Sequence, residues 1–145
     1  MSFLSSMSIS ASALTATRLR MDVVAENLAN ADTTRTEHGD DPYRRKYVVF
    51  QERTNDRSFA SFFNRARKAP GGVRVLHIGR DQSDFKLLYD PNHPDADENG
   101  NVRYPNVEVV QEMVDMMSAF RAYEANITAL NAFKDMATKT LEIGK

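Results

Sequence analysis

Apolar residues recur with helical spacing over the last part of the chain. From Asn106 to Ile143 there is no Pro or Gly, while Pro105 precedes this segment and Gly144 follows it. This asymmetry is typical of the start and stop of a helix. The a positions of a heptad are assigned to Val109, Met116, Tyr123, Leu130 and Ala137, and the d positions to Met113, Phe120, Ile127, Lys134 and Leu141. At ~1.5 Å per residue the helix is on the order of 55 Å long, so part of its stripe needs a partner from elsewhere.

A second helix is predicted from Ser2 to Asn30, which also lacks Gly and Pro. Its large apolar residues recur every seven positions, at Met7, Leu14, Met21 and Leu28. The positions three residues further on are smaller, namely Ser10, Thr17, Val24 and Ala31. A large side and a small side suit close packing against another helix. The serine-rich first half is a weak helix former, so we expect it to be helical only when packed.

The middle of the chain, from Asp32 to Pro105, holds all five Pro and all but one Gly. Strands are predicted at 47–50, at 73–78 after a turn at 70–72, and at 85–89; a short helix is predicted around Phe59, Phe62 and Phe63, and a loop from Asp90 to Tyr104. The fold class is therefore α+β, with the terminal helices paired as an elongated coiled-coil-like hairpin around a small β-containing middle. The predicted regions are 1–33, 34–105 and 106–145.

Composition excludes several functions. With 145 residues, 41% hydrophobic and 27% charged, the chain is globular and too short for two enzymatic domains. A net charge of −1 gives no reason to expect nucleic acid or an anionic membrane as a partner. The absence of Cys excludes thiolate chemistry. No apolar run is long enough for direct membrane insertion, and Met1–Met21 lacks the pattern of a cleaved signal peptide.

The segment from Asp95 to Gly100 matches the first half of a calcium-binding loop. The second half fails, because Arg103 and Asn106 stand where oxygen ligands belong. No metal or cofactor is therefore predicted, although a calcium- or ligand-binding regulatory module on a helical hairpin stays the alternative function. The three histidines, His38, His77 and His93, accompany no nucleophile or metalloprotease motif, so no catalytic residues and no enzyme are predicted.

Charges of opposite sign are concentrated in different segments. Ten basic residues and two acidic ones lie between Tyr43 and Arg80, including the run Arg44, Arg45 and Lys46. Asp95 and Asp97 belong to an acidic segment further on. A basic and an acidic patch on one small molecule favour head-to-tail association of copies over nucleic-acid binding.

The end of the first helix carries a motif, Asn27-Leu28-Ala29-Asn30 followed by Thr33. Asn30 is predicted to close the helix in the left-handed conformation. This motif resembles the N-terminal signature of the bacterial flagellar rod and hook proteins. The segments 41–45, 90–97, 104–107 with 112–114, and 134–144 are similar to a proximal-rod member of that family.

The resemblance implies a structural subunit of the flagellar basal body. Such subunits leave the cytoplasm through the flagellar type III export apparatus with an uncleaved N-terminus. They polymerise with copies of themselves and with other rod proteins into a tubular rod across the periplasm. The terminal helices would form its inner layer. The residues assigned to subunit packing are Met7, Leu14, Met21, Leu28, Val109, Met113, Met116, Phe120, Tyr123, Ile127, Leu130 and Leu141.

Overall fold

The computed structural model describes residues 3–36, 39, 41–53 and 71–143. Its elements, in chain order, are α1 (Phe3–Ala29), β1 (Lys46–Glu52), β2 (Val73–Arg80), β3 (Lys86–Tyr89), β4 (Asn101–Tyr104) and α2 (Val109–Ile143). The α+β class is thereby confirmed, with a helix towards each end of the chain and a small β region between them. The short helix predicted around Phe59 lies outside the described residues, as do His38 and Pro70.

Helix α2 begins three residues later than predicted, at Val109 instead of Asn106. The side chain of Asn106 explains the shift, because it is used to hold other segments. Its Oδ1 accepts the Arg45 backbone N–H at 2.8 Å, and its Nδ2 donates to Ser83 Oγ at 2.8 Å. The helical ladder then starts with the Glu112 N–H, which donates to the Glu108 carbonyl at 2.9 Å.

Helix α1 ends at Ala29, within one residue of the prediction. The left-handed conformation expected for Asn30 is wrong, since no described residue other than glycine has a positive φ. Asn30 closes the helix through its side chain instead. Its Nδ2 donates to the Glu26 carbonyl at 2.9 Å, and its Oδ1 accepts the Thr33 hydroxyl at 3.2 Å.

The strands form two two-stranded sheets, β1 with β2 and β3 with β4. Bonds from the Arg53 N–H to the Gly72 carbonyl and from the Asp81 N–H to the Arg45 carbonyl, both 2.8 Å, flank the first pair in an antiparallel sense. In the second pair Lys86 lies opposite Tyr104 and Tyr89 opposite Asn101. Strand β4 falls in the segment predicted as loop, because only two of its four residues are apolar and Gly100 and Pro105 border it.

The chain folds as two compact units. One comprises the described residues within Met1–Leu19, Val49–His77 and Ala119–Lys145, and the other comprises those within Arg20–Val48 and Ile78–Ser118. Each unit therefore takes residues from both helices and from the middle of the sequence. We call them the terminal unit and the central unit.

The inward row of α2 differs from the predicted pair of rows. The predicted a positions Met116, Tyr123, Leu130 and Ala137 are half-buried, and Glu112, Ala119, Asn126 and Phe133 complete the row as buried or half-buried positions. Each of these four additional residues lies three positions after an a position, which is the spacing of d positions in a heptad. The residues assigned to d lie four after each a position, and they are exposed: Met113, Phe120, Ile127, Lys134 and Leu141. Val109 is also exposed.

The buried side of α1 is its small side. Ser10 and Val24 are buried, as are Ala16 and Val23 beside that row. The large residues Met7, Leu14, Met21 and Leu28 are only half-buried. Both predicted rows are therefore at least half-buried, and the row of small residues is buried more deeply than the row of large ones.

In the terminal unit, α1 contacts the start of β2 through a serine. Ser12 Oγ accepts the Val73 N–H at 3.1 Å and donates to the Ile9 carbonyl at 2.7 Å. Gly72, which precedes this strand, has a φ of 94° and lies so close that an added Cβ would overlap Ser12 Oγ. Only glycine satisfies both conditions at this position.

Gly72→Ala is expected to lower the free energy of unfolding by about 2 kcal/mol, since an L side chain is strained at this φ and displaces Ser12. Urea denaturation of the purified chain measures the change. Gly39→Ala is the matched control, because no atom lies within 4 Å of the position its Cβ would take. Equal effects of the two substitutions would contradict the role given to Ser12.

Candidate functional site: a buried polar cluster

Asn27, in the last turns of α1, is the centre of a polar cluster in the central unit and is fully buried. Its Nδ2 donates to the Lys46 carbonyl at 2.8 Å and to Glu112 Oε2 at 2.9 Å. Its Oδ1 accepts the Lys46 N–H and the Tyr43 hydroxyl, both at 2.9 Å. A primary amide has two donor hydrogens and two acceptor lone pairs in one plane, so every hydrogen-bonding position of this side chain is used.

Glu112, in the first turns of α2, is a carboxylate with no exposed surface. Its Oε1 accepts a hydrogen bond from Arg45 Nε at 2.6 Å, while Oε2 faces Asn27. Burial of an unpaired carboxylate is strongly unfavourable, so the arginine and the amide are both required to keep Glu112 inside. Arg45 also reaches Asp115 at 3.4 Å, and Arg20 from α1 lies 3.7 Å from the same aspartate.

Tyr43 closes the cluster from the segment before β1 and is itself buried. Burial of its side chain, with a further contribution from the carboxylates of Glu26 and Glu112, raises the pKa of the Tyr43 phenol well above its ordinary value. The phenol therefore stays protonated and remains a donor to Asn27. Among the described residues, no buried side-chain nitrogen or oxygen lacks a hydrogen-bond partner.

The contiguous basic residues Arg44, Arg45 and Lys46 make different contacts. Arg45 enters the cluster, and Lys46 Nζ forms an ion pair with Glu26. The Arg44 guanidinium stacks on the Phe85 ring, 4.2 Å from its centroid. Its Nη1 donates to the Asp81 and Ser83 carbonyls at 3.3 and 3.2 Å. Hydrogen bonds from Ser83 also hold the pKa of the Asp81 carboxyl below its usual range.

The acidic segment is a structured turn. Asp95 accepts hydrogen bonds from the Thr34 hydroxyl, at 2.7 Å, and from Arg35. Asp97 Oδ1 accepts the backbone N–H groups of Asn99 and Asn101 at 2.9 and 2.8 Å. The Asp97 carboxylate therefore holds the backbone of the turn, and the Asp95 carboxylate joins the turn to the segment after α1. In the described part of the chain, no group of three His, Cys, Asp or Glu side chains is placed to bind a metal ion.

The residues of the rod-family motif, Asn27 to Asn30 and Thr33, have different structural roles. Asn27 holds the cluster, and Asn30 and Thr33 close the helix, with the Tyr43 N–H donating to the Thr33 carbonyl at 3.1 Å. Leu28 is half-buried and Ala29 is exposed. Neither Glu112 nor Tyr43 is among the site residues that the sequence predicts. The signal for Glu112 was its spacing of three residues from Val109, an inward position filled by a charge.

Along α2 in the central unit, large apolar side chains are exposed. They are Val109 at 40%, Val110 at 69%, Met113 at 53%, Val114 at 49% and Met117 at 55%. An exposed apolar face of this kind marks an interaction surface. Neither described helix has the length and apolar character needed to cross a membrane.

Two family models match the segments that the cluster joins. Residues 7–35 match the model described as flagella basal body rod protein, and residues 98–143 match the model described as flagellar basal body rod FlgEFG protein C-terminal. Asn27 lies in the first match and Glu112 in the second. The class is that of flagellar basal-body rod proteins.

Curated relatives narrow the class. The chain is 52% identical to the flagellar basal-body rod protein FlgC of Bacillus subtilis, over 97% of each chain. It is 45% identical to FlgC of Borreliella burgdorferi, over 99% of this chain and 98% of the relative, and 45% identical to FlgC of Salmonella typhimurium over 100% of both. The chain belongs to the FlgC family of flagellar basal-body rod proteins.

Asn27→Asp is expected to lower the free energy of unfolding by about 3–5 kcal/mol, because a carboxylate replaces the donor that faces Glu112 and the Lys46 carbonyl. Urea denaturation measures the loss. Adding Glu112→Gln gives the new carboxylate at position 27 a side-chain donor. The double variant should recover part of the lost free energy of unfolding. The interpretation would be contradicted if the two substitutions were additive in a double-mutant cycle.

The raised pKa of Tyr43 predicts a dependence of stability on alkaline pH. The folded chain holds the phenolic proton more tightly than the unfolded chain, in which the pKa of the tyrosine is 10.0. The stabilisation by the protonated phenol is complete below pH 10 and is lost as the pH rises towards the pKa of the folded state. The free energy of unfolding therefore falls above pH 10. Tyr43→Phe should flatten the decline between pH 9 and about 11.5 in denaturation experiments. A decline as steep in the variant as in the native chain would refute the assignment.

Proposed function

We propose that this chain is a structural subunit of the flagellar basal-body rod and has no enzymatic activity. The observation that carries the proposal is identity of 45–52% to FlgC proteins over nearly the whole length of both partners. Matches at both helices support it, since these are the elements that would pack between subunits.

Assembly proceeds by helix packing. The outward row of α2 supplies apolar side chains that are exposed in the single chain: Met113, Phe120, Ile127 and Leu141. Each large apolar side chain transferred from water to a subunit interface contributes about 1.5–3 kcal/mol. The half-buried row Met7, Leu14, Met21 and Leu28 of α1 contributes its remaining surface in the same way.

The partners of this subunit are further copies of itself and other rod proteins. The rod occupies the periplasmic part of the basal body, where it transmits rotation. The subunit reaches it through the flagellar type III export apparatus with its N-terminus uncleaved. The resemblance to the flagellar rod family supports each of these assignments. Continuous packing of helices from subunit to subunit gives the rod the stiffness that transmission of torque requires.

Phe120→Asp is expected to abolish swimming and to remove the chain from isolated basal bodies, because a charge would be buried between subunits. Phe120 is 52% exposed in the single chain, so the variant should fold with nearly native stability. Ala122→Asp is the matched control, since Ala122 is exposed and lies about 200° around α2 from Phe120. Leu28→Asp should also block assembly. Normal swimming with Phe120→Asp would count against helix packing as the mechanism.

Deletion of the gene tests the function itself. The organism that encodes the chain should lose its rod and its motility, and a plasmid copy should restore both. Immunoblots of purified basal bodies should contain the chain. A motile deletion strain with intact basal bodies would overturn the proposal.

A further inference from the structure

The central unit contains a polar cleft of about 620 Å³ beside the buried cluster. Four of its lining side chains are cations and two are carboxylates. The cations are Arg35, Arg44, Lys46 and Arg80, and the carboxylates are Glu26 and Asp41. Among the described residues of the lining, positive charge is therefore in excess.

The carboxylates of the cleft are already paired. Glu26 binds Lys46, and Asp41 accepts a hydrogen bond from Arg103 at 2.9 Å. Among the residues the structure describes, Arg44 and Arg80 take part in no ion pair. Arg44 is fixed by stacking on Phe85, and Arg80 is exposed at the end of β2. Of the cations described in the lining, these two arginines are therefore the ones that bind no described carboxylate.

The same unit carries a segment of opposite charge. Between Asp90 and Asn101 there are four acidic residues and no Lys or Arg. Asp97 fixes the backbone of this turn, and its neighbour Glu98 is exposed. The turn is therefore ordered and acidic, and its Glu98 carboxylate is exposed.

We propose that the cationic cleft of one copy receives the acidic turn of a second copy, with Glu98 paired to Arg80. The turn adjoins the cleft of its own chain through the Arg35–Asp95 ion pair. The proposed contact between copies is not reciprocated, so it is heterologous. Repetition of such a contact builds an open helical series instead of a closed dimer. The proposal rests on the proposed rod function and narrows the head-to-tail association expected from the sequence. Arg45 is excluded from the contact because Glu112 holds it inside.

A charge exchange tests the contact. Arg80→Glu alone and Glu98→Arg alone should each reduce the amount of the chain in purified basal bodies about tenfold, because like charges then face each other. The combined variant should recover native levels. The mismatched pair Arg74→Glu with Glu98→Arg has the same net charge but an unaltered cleft, so it should not recover. Single variants that assemble normally, or a combined variant that does not recover, would overturn the pairing.

Cysteine cross-linking provides a measurement that does not depend on loss of assembly. The chain has no Cys, so Arg80→Cys with Glu98→Cys introduces the only thiols. A bismaleimide reagent should produce a ladder of cross-linked copies from basal bodies, which neither single variant forms. Its spacer is chosen to exceed the ~7 Å that a disulfide spans between Cα atoms, because the long Arg and Glu side chains of an ion pair hold the two backbones further apart than that. Absence of this ladder from basal bodies that contain the chain would refute the contact. A chain missing from native basal bodies would instead refute the rod function.

Discussion

A buried carboxylate that must be paired governs the central unit. Glu112 has no exposed surface, and its two oxygens are held by Arg45 and Asn27. The cost of an unpaired charge in such a place exceeds that of almost any single lost contact, so the partners are not interchangeable. The last turns of α1, the start of β1 and the first turns of α2 are brought together by this requirement. Unlike apolar packing, these bonds require one particular alignment of the three segments.

The motif that marks the family acquires a physical meaning from this arrangement. An aspartate at position 27 would be isosteric with asparagine, yet it would lack the donors that Lys46 and Glu112 require. Asn30 and Thr33 act a turn later, where their side chains close the helix. The intervening Leu28 and Ala29 take no part in these bonds. A short sequence signature thus contains two separate structural tasks.

Much of the fold was predictable because it depends on local patterns. The absence of Gly and Pro placed both helices, and short runs rich in apolar residues placed β1, β2 and β3. Strand β4 was not predictable, because only two of its four residues are apolar and its pairing with β3 decides its conformation. The inward row of α2 was misplaced by one position, since Met113 and Phe120 look more suited to a core than Glu112 and Ala119. Pairing by Arg45, 67 residues away, makes the buried glutamate acceptable, and that partner cannot be read from spacing.

The double hydrogen bond between Asn27 and Lys46 also affects how β1 can associate. The amide engages both the N–H and the carbonyl of the first residue of the strand. These are the groups that a foreign strand would use to extend a sheet from an open edge. The side chain therefore imitates a short piece of neighbouring strand and blocks that end against unwanted sheet growth. This protection limits aggregation through the strand edge without adding a charge or a proline to it.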